Sequence, residues 1–124
     1  SMLPVAHGVR FLLTTRDMQR LECFSCNVAD HRAISDIAPI VAELVFTGKV
    51  QGIVLPTMQA VILLGVGLQR RDLSKLASDV KVTRAQALSL YGKAIRKAST
   101  CLRGQLNSTL VANKGTHLAT TQGC

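Results

Sequence analysis

An all-α fold is what this sequence predicts: a compact bundle of about five or six helices, with a helix-turn-helix-like pair near the C-terminus. Three observations carry that expectation. Apolar residues recur at steps of three and four in several segments. Three of those segments follow a residue suited to capping a helix, namely Thr14, Asp30 and Thr83. The apolar mass is Leu, Val, Ile and Ala, with one Tyr, three Phe and no Trp, which suits packed helices and argues against modules that stack bases on aromatic sheet faces. A chain of 124 residues reads as one domain able to bury a core. An apolar content of 48% with 18% charged residues argues against disorder over most of the length.

The elements follow in order. Ser1 and Met2 read as an expression scar, and residues 1–13 as a lead-in. Thr14, with Asp17 three residues on, caps a helix over 15–27 whose inward positions are Met18, Leu21, Cys23 and Phe24. Asp30 caps a second helical stretch running to Phe46 through Ile34, Ile37, Ile40, Val41, Leu44 and Val45. Pro39 must kink that stretch or begin a new helix, because it has no amide to donate. The glycines of TGKVQG mark a loop. Residues 53–69, IVLPTMQAVILLGVGLQ, form the most apolar segment and predict a central buried helix. Pro56 interrupts it, and what remains is about half of the ~20 residues a membrane span requires. Gly65 and Gly67 cost helix propensity, so either a neighbouring helix comes close there or the helix ends early.

Residues 72–79 predict a short helix with Leu73, Leu76 and Ala77 inward. VKV turns the chain. Thr83 caps a long helix reaching about Leu106, with Leu88, Tyr91, Ile95, Ala98 and Leu102 facing the core. The helical domain therefore spans 14–106, and 107–124 reads as a polar tail with room for one short ordered piece. A short helix, a three-residue turn and a capped longer helix make a helix-turn-helix pattern. Ala77 is small where the two helices touch, and Val80 and Val82 plug the turn. Such a turn often uses Gly to reach a left-handed backbone, and here Lys81 stands at that place. DNA readers set the second helix in the major groove, but helical pairs of this shape also serve pure packing.

Charge divides the chain. Residues 1–69 hold five basic side chains (Arg10, Arg16, Arg20, Arg32, Lys49) and five acidic ones (Asp17, Glu22, Asp30, Asp36, Glu43). Residues 70–103 hold nine basic side chains: Arg70, Arg71, Lys75, Lys81, Arg84, Lys93, Arg96, Lys97 and Arg103. Only Asp72 and Asp79 oppose them, so this quarter of the chain carries +7 of the net +8. A solvated helix face is one reading of such a run. A surface for a polyanion is the other.

Three stretches in sequence resemble the C-terminal region of the RNA cytidine acetyltransferase family, the nucleolar enzymes and their bacterial tRNA relatives. They are QRLECFSCNVADHRAISDIAP, VILLGVGLQRR and RAQALSLYGKAIRK. In the last, Gln86, Leu90, Tyr91 and Ile95-Arg96-Lys97 fall on the family pattern. The resemblance covers about residues 13–102. His31 and Arg32 depart from a Tyr-His pair of the eukaryotic relatives, Arg70 from a His and Thr83 from a Pro.

This resemblance implies a longer parent enzyme that uses ATP and acetyl-CoA to acetylate cytidine in ribosomal and transfer RNA. It further implies a nuclear, nucleolar setting and a helical end domain that helps hold RNA. The chain itself has no GxxxxGKS/T phosphate loop and no glycine-rich strand-to-helix turn, so no cofactor is expected within it. The implied partners are tRNA or small-subunit rRNA and the rest of the parent enzyme. A homo-oligomer is left open, and no membrane contact is expected. The nine basic residues of 70–103 are the expected RNA contacts: Arg70 and Arg71 as forks on phosphate oxygens, and Lys93, Arg96 and Lys97 as a rail. The main rival is an interaction or structural domain whose basic face packs on the acetyltransferase body without touching RNA.

Enzymatic readings are weaker. Cys23 and Cys26 have half the spacing of a zinc site, with only His31 near and Cys101 remote. On a helix they are simply neighbours on one face. The four Cys (Cys23, Cys26, Cys101, Cys124) do not suggest a disulfide framework, and no signal-peptide pattern is visible, so a reducing compartment is expected. His7, His31 and His117 are scattered without a nucleophile or carboxylate companion. No catalytic or metal-binding residue is expected. Tyr91 is expected in the core rather than stacked on a base.

Overall fold

The computed structural model describes residues 13–27 and 29–114, with side chains through Asn107. His7, His117, Cys124, most of the lead-in and the last ten residues of the expected tail lie outside the described residues. The elements are α1 (Thr15–Ser25), a 3-10 turn (His31–Ile34), α2 (Ala38–Phe46), α3 (Thr57–Leu63), a π segment (Leu64–Leu68), α4 (Leu73–Asp79) and α5 (Arg84–Lys114). No strand occurs among the described residues, so the all-α expectation holds.

Thr14 closes the N-terminus of α1 as a capping box. Its Oγ1 accepts from the Asp17 amide, and Asp17 Oδ2 accepts from the Thr14 amide, each at 3.1 Å. Met18, Leu21 and Phe24 are buried, as their spacing requires. The helix ends two residues before the expected limit because Asn27 adopts a left-handed backbone at φ 63°. The stretch from Asp30 to Phe46 is not one helix. Asp30 caps only the 3-10 turn, accepting from the Arg32 amide at 2.7 Å. Pro39 then stands at the start of α2, where a missing amide costs nothing.

α3 and the π segment together form the expected central apolar helix, beginning after Pro56. Residues two apart on a helix point to nearly opposite sides, and the two glycines use this. A Cβ on Gly65 would lie 2.5 Å from Leu76 Cδ2 of α4. A Cβ on Gly67 would lie 2.6 Å from Ala42 Cβ of α2 and 3.3 Å from the Ala38 carbonyl oxygen. The glycines therefore let this helix sit tightly between α2 and α4. The wider turn is registered by the Gln69 amide, which donates five residues back to Leu64 O at 3.1 Å.

α4 is capped by Asp72, which accepts from the Lys75 amide at 3.1 Å. Its C-terminus closes on Lys81 at φ 64°. There the Lys81 amide donates to Ser78 O (3.1 Å) and the Val82 amide to Ala77 O (3.0 Å), the paired bonds of a Schellman end. Thr83 and Gln86 form a second capping box at the start of α5, with bonds of 3.0 and 2.9 Å. α5 is 31 residues long and continues to Lys114, eight positions beyond the expected end at Leu106. α1, α3 and α4 all lean on it, while α2 packs mainly on the π segment.

The core face of α5 is Ala87, Tyr91, Ala94, Ile95, Ala98, Leu102 and Leu106. Leu88, expected inward, is only half-buried, because Ala87 takes the place against the bundle. Fully buried aliphatic side chains such as Leu21, Ile34, Ile62 and Ile95 each contribute roughly 1.5–3 kcal/mol relative to exposure. Among the described residues no helix is long and apolar enough to cross a membrane.

Candidate nucleic-acid interface

The nine expected contact residues divide by what holds them. Two are paired with carboxylates at the surface. Arg71 Nη2 is bonded to the Asp79 carboxylate of α4. Arg103 reaches from α5 to Glu22 of α1, with Nε 3.1 Å from Oε1, and its Nη2 donates to Ser99 Oγ at 3.4 Å. Each of these two cations has a carboxylate partner and stays partly open to solvent, its side chain 37% exposed. Sequence distance hid the Arg103 partner, since Glu22 lies 81 positions away (103 − 22), whereas Asp79 lies only eight positions from Arg71 (79 − 71).

The other seven have no carboxylate within ion-pairing distance among the described residues: Arg70, Lys75, Lys81, Arg84, Lys93, Arg96 and Lys97. Six of them are exposed, and Arg96 is half-buried. Four of them lie on α5, and Lys81 sits in the turn that leads into it. Arg70 and Lys81 occupy left-handed backbone at φ 55° and 64°, a conformation that costs an ordinary side chain about 1 kcal/mol. Lys97 Nζ donates to the Val54 carbonyl at 3.2 Å and keeps its charge unpaired.

Arg96 occupies a special position. Its Nη2, Nη1 and Cζ lie 3.5, 3.6 and 3.7 Å from where a Gly92 Cβ would be. The guanidinium thus packs beside the bare backbone one turn before it. It borders two depressions. One, of about 750 Å³, separates the 3-10 turn from the first three turns of α5. Its walls carry His31 and Arg32 on one side and Arg84, Ser89 and Arg96 on the other, with Phe24, Leu88 and Gly92 also lining it. The second, of about 430 Å³, lies between Ile53–Val54 and Lys97, Thr100 and Cys101. Val54 is 78% exposed, the most open large apolar side chain among those described.

Sequence reasoning did not place His31 and Arg32 beside α5. The only local signal was the Asp30 cap, which bends the 3-10 turn so that both residues reach the groove. Asp30 Oδ2 also accepts from Arg32 Nη2 at 3.0 Å. Arg32 holds the Asp30 carboxyl below its ordinary range, first through the guanidinium bond and then through the bond from its backbone amide. The His31 ring stands against Tyr91, with centroids 6.5 Å apart and planes at 88°. Tyr91 in turn meets Phe24 edge-on at 6.3 Å. Tyr91 is buried in the core, as expected, and burial pushes its phenol up to about 12.

No group of three or more His, Cys, Asp or Glu able to hold a metal occurs among the described residues. Cys23, Cys26 and Cys101 are free thiols; Cys23 is half-buried on α1 and Cys26 lies exposed at its cap.

Among the described residues, the cations of 70–103 without a carboxylate partner lie on α5, on α4 and in the turns before them. The chain belongs to the protein family described as "Possible tRNA binding domain", whose model matches residues 5–120. It is similar to the RNA cytidine acetyltransferases, as a C-terminal domain of that family. The Dictyostelium discoideum enzyme is 32% identical over 95 residues, which is 77% of this chain and 9% of the relative. The Saccharomyces cerevisiae enzyme is 32% identical over 95 residues, 76% of this chain and 9% of the relative. The Homo sapiens enzyme is 31% identical over 81 residues, 65% of this chain and 8% of the relative. The chain thus spans about a tenth of the length of the curated relatives it matches.

Proposed function

We propose that this domain holds tRNA, or a comparable folded rRNA element, for an RNA cytidine acetyltransferase, through the cations of α5 and the turns before it. The observation that carries the reading is the set of seven cations without a carboxylate partner between Arg70 and Lys97. Lys and Arg displace the counterions condensed on RNA, so affinity arises from released salt and is largely indifferent to sequence. Arg70 and Arg84 offer forked donors to phosphate oxygens, and Lys93 and Lys97 act as point charges along the helix. Chemistry on cytidine, with its ATP and acetyl-CoA, would belong to other parts of the enzyme, in the nucleolus for a eukaryotic parent. A second reading is favoured by the open Val54 beside Lys97: a contact with the acetyltransferase body.

Binding of tRNA to the chain across a salt series tests the choice. If about five cations engage, affinity falls by two or more orders of magnitude between ~50 and ~200 mM salt. Affinity that is absent at the low end of that range sinks the RNA reading and leaves the protein contact.

A further inference from the structure

Resting on the RNA-holding role proposed above, we propose that the groove between the 3-10 turn and α5 receives one unpaired nucleotide of the bound RNA. A phosphate rail alone needs no cavity, yet Arg84 and Arg96 face an indentation of about 750 Å³. That volume lies in the range of small-molecule sites. Its lining is mixed. Phe24, Leu88 and Gly92 supply apolar surface, and the arginines and Ser89 supply donors. Two planar groups line the same space: the His31 ring, held perpendicular to Tyr91, and the Arg96 guanidinium, packed beside Gly92. Imidazole rings and guanidinium planes are surfaces on which splayed RNA bases rest. The base would settle on these planes, with its phosphate clasped by Arg84.

Arg96 lies back along α5, its guanidinium 3.5–3.7 Å from where a Gly92 Cβ would be, an ordinary contact distance. Asp30 also lines the groove, and its charge is balanced by Arg32. A carboxylate accepts from a base N–H, a donor that the ionised side chain of an acidic peptide does not offer. The occupant favoured is therefore a nucleotide rather than a carboxylate-bearing partner.

The test uses three stem-loop RNAs: one with a single-nucleotide bulge, the same molecule with an abasic bulge, and a fully paired version. The chain should bind the bulged RNA about tenfold more tightly than the abasic one. 2-Aminopurine placed in the bulge should change its fluorescence on binding. Ser89→Trp places an indole in the groove without altering charge, at an exposed position. It should erase the preference and the fluorescence change while all three RNAs keep their salt dependence. His31→Ala should weaken the preference in the same way, which covers the case where the Trp variant misfolds. Equal affinity for bulged and abasic RNA, with salt dependence intact, overturns the groove inference and leaves the RNA-holding role standing. Retention of the preference in both variants overturns the location. Failure of all three RNAs to bind overturns both, and displacement of bulged RNA by an acidic peptide lodged in the groove assigns it to protein.

Discussion

Residues 13–69 use their charges as internal fasteners, whereas residues 70–107 leave most of theirs facing outward. In the first region Arg20 bridges α1 to the turn before α2. Its Nη1 and Nη2 each lie 2.8 Å from an Asp36 oxygen, and Nη2 lies 3.0 Å from Asp17. Arg32 is held by Asp30, and Glu22 is used on Arg103. In the second region there are only two carboxylates. Asp72 closes the start of α4, and Asp79 holds Arg71. The comparison teaches that net charge alone is a poor guide to an interface. What matters is how many cations remain after the fold has used its carboxylates.

The largest effect should come from moving equal charge changes between the regions. Lys93→Glu with Lys97→Glu should lower tRNA affinity about 30-fold or more at ~0.15 M salt. Arg16→Glu with Lys49→Glu, also exposed, should lower it less than about threefold in the same titration. Equal losses would mean that total charge, not its placement, governs binding, and the regional contrast would collapse.

The π segment joins the two regions, and its glycines rank next. Gly67 meets Ala42 Cβ and the Ala38 backbone, which cannot yield, while Gly65 meets the methyl end of the Leu76 side chain. Gly67→Ala should destabilise by about 2 kcal/mol after allowing ~1 kcal/mol for alanine's better helix propensity. Gly65→Ala should cost less than about 1 kcal/mol, because the leucine can turn away. Urea unfolding of the two variants checks the order.

Acid should weaken the first region's fastening. Arg20 holds the Asp36 carboxyl below its ordinary value of 3.8, chiefly through the side-chain bond. The folded state therefore binds that proton less tightly than the unfolded chain. The stabilisation is present above the ordinary value and is lost as pH falls through the depressed one. The Tm of the parent chain should decline on acidification more steeply than that of Asp36→Asn. Parallel curves would show that this pair contributes nothing measurable.

The smallest effect concerns Lys81. Glycine accepts its left-handed backbone without strain, so Lys81→Gly should raise stability by roughly 0.5 kcal/mol. The same change should weaken tRNA binding a few-fold, through one lost charge. Unchanged RNA affinity would remove Lys81 from the interface and leave its place in the turn unexplained.

Much of the fold was legible because its signals are local. The Thr14 and Thr83 caps, the inward spacing on α1 and α5, the break at Pro39 and the left-handed Lys81 each depend on a few neighbouring residues. At Gly65 and Gly67 the sequence offered either a close approach or an early helix end, and the structure shows the close approach. Three features were not legible. Polar composition suggested a tail after Leu106, yet α5 continues. Leu88 fits the apolar spacing, yet Ala87 is the residue that meets the bundle. Asp30 signalled a cap without revealing that only one short turn would follow.

By itself, the sequence determined an all-α chain whose positive excess lies between positions 70 and 103, because helical periodicity and charge counting need no partner across space. Only the tertiary structure decided that Arg71 and Arg103 are tied to carboxylates, and that His31, Arg32, Arg84 and Arg96 border one groove. Ion pairs and cavities are set by how helices cross, and crossing brings together residues whose distance along the chain carries no information about their distance in the fold.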